Sequence, residues 1–263
     1  MTQTALITGA SGGIGYELAK LLAQDHYNLV LVARSEAKLH AIQQAFMQQY
    51  GVTVKVLVKD LATADVAVEI FQELQREQIS ISILVNNAGF GDLGYFAETD
   101  WQKTANMLQV NVVALTQLTH LLLPGMVQQG QGKILNLAST AAFQPGPLMA
   151  VYYATKAYVL SFSEAIANEL QGTGVTVTAL CPGPTESGFQ AAAALENSNL
   201  VKGKKLPTSA EVARFGYAAL MRGQVVAIHG LWNWLMAFAV RFLPRQQVTE
   251  TVRKMQEVDK QSK

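Results

Sequence analysis

Along the chain, short runs of β-branched and other apolar residues alternate with longer stretches in which apolar positions recur every three or four residues. The short runs predict strands at Ala5–Ile7, Asn28–Val32, Val52–Val58, Ile81–Val85, Lys133–Leu137, Val175–Leu180 and Val225–Ile228. The longer stretches predict helices at Ile14–Ala23, Glu36–Gln49, Asp65–Arg76, Trp101–Val127, Val151–Gln171 and Ser209–Met221. Thr99, followed by Asp100, is the expected start signal of the Trp101 helix, and Ser209, followed by Glu211, that of the last one. The early strands are apolar along their whole length. That requires burial on both faces, and so helices on both sides of a parallel sheet. Strand–helix alternation then predicts an α/β, doubly wound sheet of about seven strands with right-handed crossovers. No Pro-, Gly- or Ser-rich linker divides the chain, so a single domain is expected over residues 1–263. Two regions fall outside the alternation: residues 189–206 read as a mobile insertion, and residues 231–263 as a C-terminal extension of one or two helices.

Composition narrows the picture. The chain has 263 residues, 50% hydrophobic and 15% charged, which is globular and excludes collagen-like, coiled-coil and disordered classes. Its 20 Lys and Arg against 19 Asp and Glu give a net charge of +1, which argues against a nucleic-acid surface. A single cysteine, Cys181, forms no internal disulfide, so a reducing, cytoplasmic setting is expected. No basic leader precedes the first strand, and no cleavable signal is expected. The apolar stretch Leu231–Val240 is shorter than the roughly 20 residues a bilayer span requires. His26, His40, His120 and His229 lack metal-ligand spacing, and no metal is expected. Cys181 reads as a buried structural thiol.

The first candidate chemistry lies where the first strand meets the first helix. In Thr8-Gly9-Ala10-Ser11-Gly12-Gly13-Ile14-Gly15, the glycines Gly9, Gly13 and Gly15 allow a tight turn and close approach of a ligand. The backbone N–H groups of the helix start suit a pyrophosphate. A dinucleotide-binding, Rossmann-type unit is therefore expected, with Ser11 and Ile14 among the contacts. The second strand ends at neutral Ala33 followed by Arg34, rather than at an acidic residue that would accept from a ribose 2′-OH. A guanidinium there pairs with a 2′-phosphate, so NADP is expected over NAD. Asp60 and Leu61, after the third strand, read as adenine contacts, with Asp60 alternatively a helix cap.

Joined in order by Asn86-Asn87-Ala88-Gly89, Ser139 and Tyr152-x-x-x-Lys156, the glycine turn makes the chain resemble the short-chain dehydrogenase/reductase family in its compact form, over about Thr4 to Ile228. Longer stretches, including Cys181-Pro182-Gly183-Pro184-Thr185, resemble a bacterial subgroup labelled DltE-like. The resemblance implies an NAD(P)-dependent alcohol/carbonyl oxidoreductase with a Tyr–Lys–Ser–Asn site, assembled as a homodimer or homotetramer. It also implies that Asn111 interrupts its helix and extends a proton relay from Lys156. Ala88 and Gly89 approach the cofactor, with Asn87 beside them. Pro182, Gly183 and one of the hydroxyls Thr185 or Ser187 then lie beside the nicotinamide; the family threonine place holds Ser187 here.

The residues make chemical sense of this. Tyr152 and Lys156 share one helix face. A phenol is a poor base at neutral pH, and a nearby ammonium is expected to lower its pKa. Lys156 also suits the ribose hydroxyls. Tyr153 turns about 100° away and reads as packing or substrate wall. Ser139, thirteen residues before Tyr152, ends a strand at the edge where such sheets hold ligands, and orients the substrate oxygen. The pocket is expected between Phe90–Phe96, Thr140–Met149 and the 189–206 insertion, apolar enough for a hydrophobic ketone or aldehyde. Helices Trp101–Val127 and Val151–Gln171 are candidate subunit interfaces. Two other readings stand: a non-catalytic dinucleotide sensor on the same fold, and a membrane-associated acyl or lipid carbonyl reductase. The second rests on Trp232, Trp234, Leu235 and Phe238, which otherwise read as an interface or pocket wall.

Overall fold

Seven strands form one parallel sheet among the described residues, in the spatial order β3-β2-β1-β4-β5-β6-β7. They are β1 (Thr4–Thr8), β2 (Asn28–Ala33), β3 (Val54–Val58), β4 (Ile83–Asn86), β5 (Gly132–Leu137), β6 (Val175–Cys181) and β7 (Val226–Ile228). The computed structural model describes residues 3–189, 193, 198, 201, 203 and 205–257. From β1 the chain winds outward to β2 and β3, then returns to β4 on the other side of β1. Leu6 thus lies opposite Val30 on one flank and Leu84 on the other. That reversal opens a crevice beyond the C-terminal ends of β1 and β4, where a doubly wound sheet holds its ligand.

Successive side chains of a strand point to opposite faces, and here each face has its own core. Ala5, Ile7, Leu29 and Leu31 pack under α1 (Gly13–Gln24), α2 (Glu36–Tyr50) and α7 (Ser209–Met221). Leu6, Val30, Val32 and Leu84 pack under α3 (Val66–Arg76), α5 (Leu115–Gln128) and α6 (Ala150–Glu169). This is why both alternating sets of residues in the central strands are largely apolar. The apolar run Trp101–Gln128 is long enough to cross a membrane, yet its stripe Val110, Ala114, Leu118, Leu122 and Met126 is buried against the sheet.

Two expectations are corrected. The helix expected over Trp101–Val127 is α4 (Trp101–Leu108) and α5, joined by a π-helical segment, Gln109–Ala114. Its cap is Asp100 rather than Thr99: the Asp100 carboxylate accepts from Lys103 N at 2.7 Å. Helix α7 opens at Ser209, as expected, and its cap is Thr208: Thr208 and Glu211, at the three-residue spacing of a capping box, each accept from the other's backbone N–H. Ser209 instead donates to Glu186 O at 2.9 Å. The C-terminal extension is two helices, α8 (Leu231–Ala239) and α9 (Arg245–Gln256). The insertion expected over 189–206 falls largely outside the described residues.

Candidate active site

The glycine turn is locked to the exit of β4. The Thr8 hydroxyl accepts from the N–H groups of Asn87 and Ala88, each at 3.0 Å. The Asn87 amide donates back to Thr8 O at 2.9 Å and Gly9 O at 3.2 Å. A Cβ on Gly9 or Gly15 would collide with that amide, which is why both positions lack a side chain. Gly9 and Gly13 adopt φ of 67° and 57°, where a Cβ would strain the backbone. No side chain caps the start of α1, so the N–H groups around Gly13, Ile14 and Gly15 face the crevice that a pyrophosphate would fill. Ser11 lies in the same turn. Ser187 reaches it from beyond β6, its Cβ 3.6 Å from where a Gly13 Cβ would be. Thr185 is buried, its hydroxyl donating to Gly183 O at 2.9 Å.

At the adenosine end, the Arg34 side chain is 78% exposed and its guanidinium lies 3.9 Å from the Asp60 carboxylate. Asp60 also accepts from Ala62 N at 3.0 Å, so it serves as a local cap. Leu61 is buried in the core cluster under β2 and β3, with 7% of its surface left.

The other end of the crevice collects the titratable groups. Ser139 starts the short 3₁₀ turn Thr140–Phe143; its oxygen accepts from Ala141 N at 3.1 Å and its hydroxyl donates to Pro182 O at 3.4 Å. Tyr152 and Lys156 lie one turn apart on the buried face of α6. The Lys156 ammonium donates to Leu137 O at 2.6 Å and lies 5.8 Å from the Tyr152 ring centre. Burial pushes the Lys156 pKa down to about 8, partly offset by the nearby Cys181 sulfur. The Tyr152 phenol is not made acidic, as the sequence suggested. Burial pushes its pKa well above the ordinary value, and the neighbouring Ser139 hydroxyl opposes this only in part. The ligand-free tyrosine is thus held in its neutral, protonated form. Cys181 is buried, its thiol pushed up to about 12 by desolvation.

Asn111 sits in the π segment, 1% exposed. Its amide donates to Phe90 O at 2.9 Å and Thr155 Oγ1 at 3.1 Å, and its oxygen accepts from Phe90 N at 3.1 Å. Thr155 in turn donates to Tyr152 O at 2.7 Å. Gly89 passes beside this clamp: a Cβ there would lie 3.0 Å from Asn111 Oδ1 and 3.6 Å from Lys156 Nζ. Asn111 therefore ties the β4 exit to the helix that carries Tyr152.

The sequence reading gave Asn86 or Asn87 a role in stabilising the sheet and Tyr153 one as packing or substrate wall; the partners Thr119, Asn136 and Ser163 escaped it. The Asn86 amide donates to Asn136 Oδ1 at 2.9 Å and Thr119 Oγ1 at 3.0 Å, and the Asn136 amide to Ser163 Oγ at 2.9 Å. This buried chain fixes β4, β5, α5 and α6 behind the site. The sequence signal available was polar residues inside otherwise apolar strands. Phe189 lies 5.3 Å from the Tyr152 ring, and a Cβ on Gly91 would press on both rings. Tyr153 lies flat on Gly146, which has no room for a Cβ. The apolar wall beside Tyr152 also takes Val248 and Val252 from α9, which join Met107, Met149, Tyr152 and Tyr153 in one cluster. A gap of about 20 Å³ remains beside Tyr152, and a groove of about 610 Å³ lies on the other side of Tyr153, toward α9.

This fold and this end-of-sheet cluster define a dinucleotide-dependent oxidoreductase class. The short chain dehydrogenase family model matches residues 3–198, and the chain belongs to that family. The chain is 34% identical over 254 residues to a very-long-chain 3-oxoacyl-CoA reductase of Pyrenophora tritici-repentis, covering 93% of this chain and 73% of that one. Of the similar reductase from Laccaria bicolor, 36% identical, it spans only 52%. Among solved structures it resembles a short-chain dehydrogenase from Sphingobium yanoikuyae in complex with NADPH, at 31% identity, a TM-score of 0.82 and 98% and 99% coverage. It also resembles a bulky-bulky ketone specific alcohol dehydrogenase from Comamonas testosteroni, at 29% identity, a TM-score of 0.78 and 99% coverage of both chains. The glycine cradle, the uncapped start of α1 and the buried Tyr–Lys–Ser cluster fit an NAD(P) cofactor.

Proposed function

We propose that this chain reduces apolar ketones or aldehydes, and oxidises the matching alcohols, with a preference for NADP(H). The observation that carries this reading is the convergence of Ser139, Tyr152 and Lys156 on the crevice that also holds the glycine turn, beside an apolar wall. The nicotinamide, when bound, supplies hydride to the carbonyl carbon. Tyr152, held protonated by burial, gives its phenolic proton to the oxygen as negative charge develops there. Ser139 orients that oxygen and stabilises its alkoxide character. Lys156 holds the ribose hydroxyls and, as a cation, favours the phenolate left behind. Asn111 supports the relay from Lys156 and fixes the site's frame.

Gly9, Ser11, Gly13, Ile14 and Gly15 cradle the pyrophosphate. Asp60 and Leu61 border the adenine, while Asn87, Ala88 and Gly89 floor the cleft. Pro182, Gly183 and Thr185 or Ser187 frame the carboxamide. The exposed Arg34 is available to a 2′-phosphate. A large apolar substrate is supported by the wall of Met107, Met149, Val248 and Val252 and by the bulky carbonyls named for the Pyrenophora and Comamonas proteins. Cytoplasmic work as a homodimer or homotetramer belongs to the same proposal. Leu108, Val113 and Tyr158, apolar and exposed on the α4–α6 face, support the oligomer.

Tyr152→Phe tests the core of the reading. Reduction across a carbonyl panel is expected to fall about 10²- to 10⁴-fold, with NADPH binding, followed by cofactor fluorescence, intact. Unchanged turnover rejects Tyr152 as the proton donor, whereas a wild-type chain that binds NADPH but reduces nothing in the panel favours the sensor. Arg34→Ala is expected to weaken NADPH binding about tenfold or more and leave NADH binding unchanged; equal losses for both cofactors reject the 2′-phosphate contact.

One observation favours an acyl or lipid reductase working at a membrane surface. Helix α8 exposes Leu231, Trp232, Trp234, Leu235 and Phe238, continued by Phe242, and Trp234, Phe238 and Phe242 form an aromatic ladder with centroids 5.8 and 5.2 Å apart. Co-sedimentation with anionic vesicles, lost in Trp232→Ser/Phe242→Ser, supports that reading; no co-sedimentation removes it.

A further inference from the structure

The last turn of α9 buries a glutamine whose hydrogen-bonding capacity is not filled. Gln256 has 0% exposed surface, and among the described residues neither its amide nitrogen nor its carbonyl oxygen makes a hydrogen bond of good geometry. An unpaired buried amide is costly, and native proteins pair nearly all such groups. The position of Gln256 says what it is for. Val248, Val252 and Gln256, spaced four apart, form the buried face of α9. The two valines pack with Met107, Met149, Tyr152 and Tyr153. The Gln256 amide stands beside the Tyr153 hydroxyl, close enough to oppose the burial that pushes that phenol up to about 12. Tyr153 lies edge-on to Tyr152, with ring centroids 6.1 Å apart. On the outer side of α9, the Arg253 guanidinium stacks 5.8 Å from the Tyr95 ring and holds the helix to the Phe90–Phe96 loop.

We propose that Gln256, together with the Tyr153 hydroxyl, binds a second, neutral donor–acceptor group of the substrate, a hydroxyl or an amide, while the reacting carbonyl meets Tyr152. This rests on the carbonyl-reductase reading and adds the substrate class. A carboxamide offers both donors and an acceptor. A partner that only accepts would leave Gln256 Oε1 stranded, and one that only donates would strand the nitrogen; a hydroxyl or an amide satisfies both. The group is neutral because the side chains packed about the anchor, Met107, Met149, Tyr152, Tyr153, Val248 and Val252, carry no charge that could pair with an ion. A buried charge without a partner is strongly disfavoured. One polar anchor in an otherwise apolar wall is how such pockets fix orientation.

The test uses the NADPH-loaded protein and a length series of methyl ketones, each paired with its ω-hydroxy derivative. Binding is read by calorimetry, and turnover separately by cofactor absorbance. The wild type is expected to bind the best-fitting hydroxyketone about tenfold more tightly than its parent. Gln256→Leu is expected to erase that difference by raising the KM of the hydroxyketone at nearly constant kcat. The parent ketone is unaffected and the melting midpoint is not lowered. Tyr153→Phe is expected to remove part of the preference. Equal wild-type binding of both partners at every length overturns the proposal. So does a Gln256→Leu variant that weakens both ligands equally and melts lower, which makes Gln256 a packing residue with a trapped water. If the binding preference and its loss are found but no ketone is turned over, the anchor stands and the reductase reading falls.

Discussion

Lys156 sets folding against function at a single residue. Its spacing to Tyr152 was legible in the sequence, because four residues on a helix always share a face. The sense of the Tyr152 shift was not, because it depends on how deeply the folded chain buries the phenol. The same burial makes Lys156 costly in the ligand-free protein. Between about 8 and its ordinary 10.5, the folded state binds fewer protons than the unfolded chain. Stability therefore rises with pH across that window, and the burden is greatest below it. Lys156→Met is expected to raise the melting midpoint of the ligand-free protein at neutral pH, with a gain that shrinks toward pH 10.5, while carbonyl reduction is lost. A variant that melts lower at neutral pH and no differently in alkali contradicts this account.

At the scale of elements, every strand and most helices could be read from the spacing of apolar residues, since a parallel sheet clad on both faces leaves few other patterns. What failed was short-range. The π segment of Gln109–Ala114 shifts the hydrogen bonding by one residue over six positions, too few to alter the apolar period. Yet that shift is what seats Asn111 between Phe90 and Thr155. The start of α7 at Ser209 was legible, but the cap before it was not named, although only Thr208 has a glutamate three residues on. Thr208→Ala is expected to cost about 1 kcal/mol and lower the melting midpoint by a few degrees, with NADPH binding retained. Thermal melts of Thr208→Ala beside Ser209→Ala decide it; a larger loss at Ser209 would place the cap at that residue.

Across the whole molecule, the order of the sheet and the place of its crevice followed from strand–helix alternation, whereas the C-terminal wall did not. Nothing in residues 245–256 marks them as neighbours of Tyr152 and Tyr153; the contact is long-range and set only by the folded chain. Assembly belongs to this scale as well. If the exposed α4–α6 face joins subunits, Val113→Glu is expected to reduce the mass seen by light scattering to that of one chain; a wild type that already scatters as one chain withdraws the interface. The two-part build also has a consequence for biosynthesis and breakdown. On the ribosome, the residues of the dinucleotide cradle, through Ser187, are all made before the helix Arg245–Gln256 that completes the apolar wall beside Tyr152. A protease nick at the exposed Arg241–Phe242 bond would reverse that last step, leaving a protein that still captures its coenzyme but has lost its discrimination among carbonyls.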